Sequence, residues 1–181
     1  MTRAPAPANR GFSLIELAFA LVLAAVLAAL AMPSFGTYLQ NVQIRTASEA
    51  LLNGVQLARA EAVRRNTAVE FVLESSTGTG WTVSTVAGEV LQTRSAADGS
   101  PNAQVAVTPD TTRLTFNGFG RVITPNPDAS EPISQILIRN PSGGACSTAS
   151  GRMRCLQVRV TTGGNVRLCD PTYAADDPRG C

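Results

Sequence analysis

Four cysteines, all in the last fifth of the chain, carry the most reactive side chains of this sequence: Cys146, Cys155, Cys169 and Cys181. None has the Cys-x-x-Cys spacing that is typical of zinc and redox sites. Two disulfide bonds in an oxidising compartment are predicted in preference to four free thiols. Three pairings are possible. We favour the sequential one, Cys146 with Cys155 and Cys169 with Cys181, because Cys155 and Cys169 would be diagonally offset on a hairpin.

Histidine is absent from the sequence. Its absence excludes Ser-His-Asp and Cys-His catalysis and removes the commonest metal ligand. We therefore predict no enzymatic activity, no catalytic residue, no metal site and no cofactor. The net charge of +2 comes from 15 arginines and 13 acids, and loss of Arg3 and Arg10 with a leader would leave 13 of each. The overall charge thus predicts no long-range attraction to nucleic acid or anionic lipid.

Arginines are concentrated near the C-terminal end, at Arg152, Arg154, Arg159, Arg167 and Arg179. A hairpin closed by Gly163-Gly164 would place Arg159 close to Arg167. Like charges opposite each other on paired strands are unfavourable unless they share an anion. Guanidinium groups bind phosphate in a bidentate manner. The pattern favours a set of solvated arginines on an exposed hairpin, and the alternative is a phosphate-binding surface.

An acid precedes a long apolar segment near the start of the chain. Glu16 is followed by residues 17–32, none of which has a polar side chain, and Phe12 to Met32 is 21 residues. About 20 residues suffice for a helix to span a membrane. A carboxylate in lipid costs several kcal/mol unless it is paired. Cleavage after Gly11 would create an amine on Phe12 that could pair with Glu16 within one chain or between neighbouring chains.

A long helix followed by strands is predicted to position these residues. Apolar residues at helical spacing form one stripe: Ile44, Leu51, Val55, Ala58 and Ala62. The helix is expected from about Ser13 to Arg65. Beyond it, runs rich in β-formers between glycine and proline turns predict strands at residues 69–73, 81–86, 105–107, 113–116, 136–138, 156–160 and 166–169. We expect one mainly antiparallel sheet on the helix stripe.

The N-terminal segment 10–17, Arg-Gly-Phe-Ser-Leu-Ile-Glu-Leu, resembles the class III signal of type IV pilins and type II secretion pseudopilins. The resemblance implies a prepilin peptidase cut between Gly11 and Phe12, N-methylation of Phe12 and an assembly role for Glu16. Pro33 is similar to the helix-bending proline of these proteins. The alternative is a Sec signal cleaved after Ala31, which leaves the acid unexplained.

Three further segments, residues 57–66, 80–83 and 114–121, resemble the FimT/GspH family of minor pilins and minor pseudopilins. The resemblance implies an α+β, type IV pilin-like fold, in which a long N-terminal helix packs on a mainly antiparallel β-sheet domain. The expected divisions are a leader at 1–11, the long helix at 12–66 with its transmembrane and assembly part at 12–34, and a β-rich domain at 67–181 with a disulfide-bonded, arginine-rich end.

The family resemblance also implies function and partners. It predicts a minor pilin of a type IV pilus that supports pilus assembly or initiation. Its expected partners are other pilins, prepilin peptidase and inner-membrane lipid. The protein would cross the inner membrane once, with its C-terminal domain in the periplasm, before joining a filament on the cell surface. The alternatives are a GspH-like pseudopilin of type II secretion and a soluble periplasmic protein.

Some FimT proteins bind DNA for natural transformation through a Gly-Arg-x-Arg motif. Residues 151–154, Gly-Arg-Met-Arg, resemble that motif, and residues 164–167, Gly-Asn-Val-Arg, resemble it with asparagine in place of the first arginine. The resemblance implies contacts from Arg152 and Arg154, or from Arg167 in the second segment, to the phosphates of double-stranded DNA. Together with Arg159 of the predicted hairpin, these are the candidate DNA-binding residues.

Overall fold

The computed structural model of the chain describes residues 12–174 and 176–181. It contains two compact units, the first ending at Gly36 and the second running from Thr37 to Cys181. Helix α1 (Leu14–Arg65) contributes residues to both units, which confirms the predicted long helix. The expected leader, residues 1–11 with Gly11, lies outside the described residues.

The first unit carries the apolar part of α1. Residues Leu14–Met32 are long and apolar enough to span a membrane, with a mean hydropathy of 2.6 and no buried side chain. Pro33 lies within the same helix. These properties suit a segment whose surroundings are supplied by lipid or by other helices.

The second unit combines the rest of α1 with strands and two short 3-10 helices, Pro141–Gly143 and Ser147–Ala149. The strands are β1 (Val69–Leu73), β2 (Trp81–Thr85), β3 (Val90–Arg94), β4 (Gln104–Thr108), β5 (Arg113–Phe116), β6 (Gln135–Arg139), β7 (Leu156–Val160) and β8 (Val166–Cys169). Each strand predicted from the sequence is present, and β3 is additional.

The strands form two sheets, which corrects the expectation of one. The first sheet has the order β3-β2-β1-β5 and the second the order β4-β6-β7-β8. All neighbouring strands pair antiparallel. The predicted α+β fold class, a long N-terminal helix with antiparallel strands, is therefore confirmed. Strands β4 and β5 follow each other in the chain but belong to different sheets, and strand patterns do not specify such a crossing.

The apolar stripe of α1 forms the centre of the core. Each of its predicted members is fully buried: Ile44, Leu51, Val55, Ala58 and Ala62. Phe71 and Leu114 from the first sheet and Ile136 and Val158 from the second join the same cluster. The two sheets thus bury their inner faces with one helix, and the prediction of a helix stripe under a sheet layer is confirmed.

Gly54 lets the first sheet approach α1 closely. A Cβ at this position would lie 2.8 Å from Cε2 of Trp81 and 3.0 Å from Cε2 of Phe71. Glycine inside a helix costs about 1 kcal/mol relative to alanine. Here it makes room for two aromatic rings whose centroids are 5.8 Å apart, so the packing of these rings offsets the helix cost.

Candidate functional site

A capping box surrounds Glu16 at the start of α1. The Glu16 N–H donates to Ser13 Oγ at 3.2 Å, and Glu16 Oε2 accepts hydrogen bonds from the Ser13 N–H at 3.2 Å and its hydroxyl at 3.3 Å. Negative charge is favourable at a helix N-terminus. The cap was not predicted from the sequence, although the Ser-x-x-Glu spacing of Ser13 and Glu16 is its signal. Phe12 is 88% exposed beside it.

Disulfide bonds shape the arginine-rich end. They join Cys146 to Cys155 and Cys169 to Cys181, with Cα–Cα distances of 5.5 and 5.2 Å. This is the sequential pairing. The first bond closes a loop that contains Arg152, and the second ties the C-terminal segment to the end of β8. Short covalent loops of this kind restrict the chain around the arginines.

Arg154 is held by groups from three segments. Its Nε donates to Asp170 Oδ2 at 2.8 Å, its Nη2 to Tyr173 OH at 3.2 Å, and its main-chain N–H to Asn41 Oδ1 at 2.7 Å. Burial raises the pKa of the Asp170 carboxyl, but hydrogen bonds from Thr172 and Arg154 outweigh burial and keep that pKa below its usual range. The bond to Asp170 raises the pKa of Arg154. Arg154 therefore neutralises a buried carboxylate.

Arg152 and Arg154 are both exposed, but Arg152 has no hydrogen-bonding or ion-pair partner among the described residues. An unpaired guanidinium keeps all five of its N–H donors for an external ligand. Of the two arginines in the Gly-Arg-Met-Arg segment, Arg152 alone is thus fully available.

Arg159 and Arg167 are directly opposite each other on β7 and β8, as the predicted hairpin required. Arg159 Nη1 and Arg167 Nη2 both donate to the main-chain oxygen of Cys181, the latter at 3.0 Å. The acceptor that the like charges need is therefore supplied by the chain itself. An external phosphate would have to share the two guanidinium groups with the Cys181 oxygen or displace that oxygen from them.

The outer face of the second sheet carries a further cation that sequence reasoning missed. Arg139 is exposed at the end of β6, on the face opposite the buried Ile136 and Ile138. The four strands of this sheet contain Arg139, Arg159 and Arg167 and no acidic residue. The sequence signal that could have identified Arg139 is the alternation of apolar residues in β6, which places residue 139 on the outward face.

No group of three or more His, Cys, Asp or Glu side chains that could hold a metal occurs within residues 12–174 and 176–181. The candidate features are therefore the N-terminal segment around Glu16 and the arginines of the C-terminal end.

Two family models match the sequence. The one described as Type II transport protein GspH matches residues 47–179, and the one described as prokaryotic N-terminal methylation motif matches residues 7–32. None of the curated proteins matches.

Two crystal structures of the type IV minor pilin FimU from Pseudomonas aeruginosa strain PAO1 have a similar fold, which confirms the predicted type IV pilin-like fold. The structure in space group P65 has a TM-score of 0.52 at 17% identity and covers 73% of this chain and 97% of that one. The structure in space group P21 has a TM-score of 0.51 at 18% identity, and the match covers 74% of this chain and 92% of that one. With the GspH model matching residues 47–179, the chain belongs to the GspH family of minor pilins and pseudopilins.

Proposed function

We propose that this protein is a minor pilin of a type IV pilus. Prepilin peptidase cleaves it between Gly11 and Phe12, Phe12 is methylated, and the protein enters the inner membrane once with its second unit in the periplasm. It then joins other pilins in a filament and supports assembly or initiation without catalysing a reaction. The observation that carries the proposal is the methylation motif at residues 7–32, which overlaps the apolar segment Leu14–Met32.

The pilus is favoured over the type II secretion pseudopilus on one ground. The two solved structures described above as similar in fold are of FimU, a type IV minor pilin. The family model described as Type II transport protein GspH keeps the pseudopilin as the alternative. Both machines use the same processing and the same membrane-anchored helix, so they share the first test.

The N-terminus of the mature chain tests the processing step. Intact-mass analysis of the protein from envelope fractions should give a chain that begins at Phe12 and carries one added methyl group. Cells that lack prepilin peptidase should keep the Gly11–Phe12 bond intact. A chain that begins after Ala31 would contradict the proposal, because a Sec signal would then have been removed. Sheared pili that lack the protein, with normal processing, would favour the pseudopilus.

DNA binding is a second candidate function. It is supported by the unpartnered guanidinium of Arg152 and by a sheet whose strands contain Arg139, Arg159 and Arg167 without an acid. Arg154 contributes less in this proposal, because Asp170 already neutralises it. Guanidinium contacts to phosphate give affinity without reading sequence.

Replacing Arg152 and Arg167 together with alanine should weaken binding of the full-length protein to duplex DNA. The affinity falls as the salt concentration rises, so a plot of log affinity against log salt has a negative slope. Loss of two phosphate contacts should make this slope less steep by about two. Fluorescence anisotropy in neutral detergent at several salt concentrations measures both quantities. The matched control removes Arg45 and Arg64, which pair with acids on α1. Equal slopes for the two double variants would contradict a DNA site at the arginine-rich end.

A further inference from the structure

A groove runs between α1 and the C-terminal end of the second unit, with a volume of about 770 Å³. Tyr38, Val42, Arg45 and Glu49 line it from the helix, and Arg154 and Arg179 line it from the other side. All of these residues belong to the second unit. Arg152, Arg159 and Arg167 do not line the groove, and Arg154 is the one lining residue that it shares with the DNA proposal.

The charges of the groove are balanced. Arg45 pairs with Glu49 at 2.8 Å, and Arg154 pairs with Asp170 at 2.8 Å. Arg179 pairs with Asp177 at 2.8 Å, and this contact lowers the Asp177 pKa to about 2. Each of the three arginines that line the groove thus has a carboxylate partner, two of them in the lining and Asp177 beside it, so the groove has little attraction for a purely anionic ligand. It suits a ligand that carries both a phosphate and an ammonium group.

The Arg45–Glu49 pair is the one that a ligand can open most easily. Its side chains are 76% and 53% exposed, and an exposed pair of this kind is weak. Only the Arg45 Nε is bonded within the described residues, which leaves both of its terminal nitrogens as donors. A phosphate could therefore replace Glu49 on Arg45, and a primary ammonium could replace Arg45 on Glu49.

Apolar side chains accompany these charges. Tyr38 is 63% and Val42 is 40% exposed, and Leu156 and Leu168 also line the groove. These four side chains form the apolar floor of the groove. A small polar metabolite bound in the groove would leave them exposed to water. The combination of an apolar floor and a charged rim fits an amphiphile whose headgroup carries the charges.

The lipid in this inference rests on the proposed function, in which the apolar segment Leu14–Met32 spans the inner membrane. Tyr38 follows the end of the apolar segment, Met32, by six residues. Whatever path the chain takes, six residues reach at most about 20 Å. We propose that the groove binds the zwitterionic headgroup of a glycerophospholipid with a primary ammonium, such as phosphatidylethanolamine, while the protein resides in the membrane.

Native mass spectrometry of the full-length protein in neutral detergent tests this proposal. Dihexanoyl phosphatidylethanolamine should be retained more strongly than the phosphatidylcholine and phosphatidylglycerol analogues. Choline cannot donate an N–H to Glu49, and glycerol brings no cation. Replacing Arg45 and Glu49 together with glutamine should lower phosphatidylethanolamine retention about tenfold or more, because the charge-assisted contacts to the phosphate and to the ammonium are both lost.

The matched control replaces Glu61 and Arg64, an ion pair of the same helix outside the groove. This variant should retain phosphatidylethanolamine like the unchanged protein. Equal retention by the Arg45 and Glu49 variant, or equal retention of the three lipids, would overturn the proposal. Free O-phosphoethanolamine or inorganic phosphate retained as strongly as the lipid would also overturn it, since the apolar floor would then contribute nothing.

Discussion

Glu16→Gln should reduce incorporation of the protein into filaments by about 100-fold, because removing one partner of an ion pair in lipid costs roughly 3 kcal/mol or more. In the proposed filament, the carboxylate of Glu16 in the mature chain pairs with the Phe12 amine of a neighbouring subunit. Glutamine lacks the charge but can still accept the capping bonds from Ser13. The measurement is the amount of the protein in sheared filaments divided by its amount in the membrane fraction, compared between the variant and the unchanged protein.

The glutamine variant separates charge from helix capping. Ser13→Ala removes the hydroxyl that caps α1 and leaves the Glu16 carboxylate in place. Loss of such a cap costs about 1 kcal/mol, so incorporation should fall by much less than in Glu16→Gln. Both variants should be cleaved and should enter the membrane. If Ser13→Ala were as defective as Glu16→Gln, capping would explain the effect and the ion pair would not.

The parts of the fold that the sequence predicted are those with a local and periodic signal. The stripe from Ile44 to Ala62 repeats at helical spacing, and all its members are buried. Strand β1 alternates between faces, and Val69, Phe71 and Leu73 are all buried. Burial of one face of a helix or strand dictates such patterns, so the spacing of apolar residues along the sequence is enough to predict these elements.

Strand β3 escaped prediction because its burial does not alternate. Val90 is 62% exposed, and no residue from Val90 to Arg94 is fully buried. The strand is an edge strand that is specified by pairing with β2, including a register shift near Val83 and Ser84. Backbone pairing leaves no mark in the side-chain pattern of an exposed edge. The division into two sheets was missed for a related reason, since it depends on contacts between distant segments.

The candidate site was predicted at the level of residue types. The opposition of Arg159 and Arg167 followed from the hairpin and is observed. The sequence could not show that the Cys181 main-chain oxygen accepts from both, because that contact depends on how the segment after β8 folds back. The same holds for Arg154, whose partner Asp170 is placed by a turn that includes Thr172.

Phe71→Ala should destabilise the second unit by about 3–5 kcal/mol, the usual cost of truncating a buried aromatic side chain. Phe71 is fully buried in β1, and its ring lies against Trp81 and would touch any side chain at position 54. Three elements that meet at one ring cannot all move to fill the cavity. Guanidinium chloride unfolding of the full-length protein, followed by Trp81 fluorescence, measures the change in the free energy of unfolding.

Phe119→Ala is the matched control, since it removes the same atoms from a side chain that is 84% exposed. The Phe119 side chain is already in contact with water in the folded state, so removing it changes the apolar area buried on folding very little. The free energy of unfolding should therefore change by about 0.5 kcal/mol or less. The denaturant slope should stay constant in both variants if the second unit unfolds in one step. A Phe71→Ala protein as stable as Phe119→Ala would mean that the first sheet does not pack on α1 through this ring.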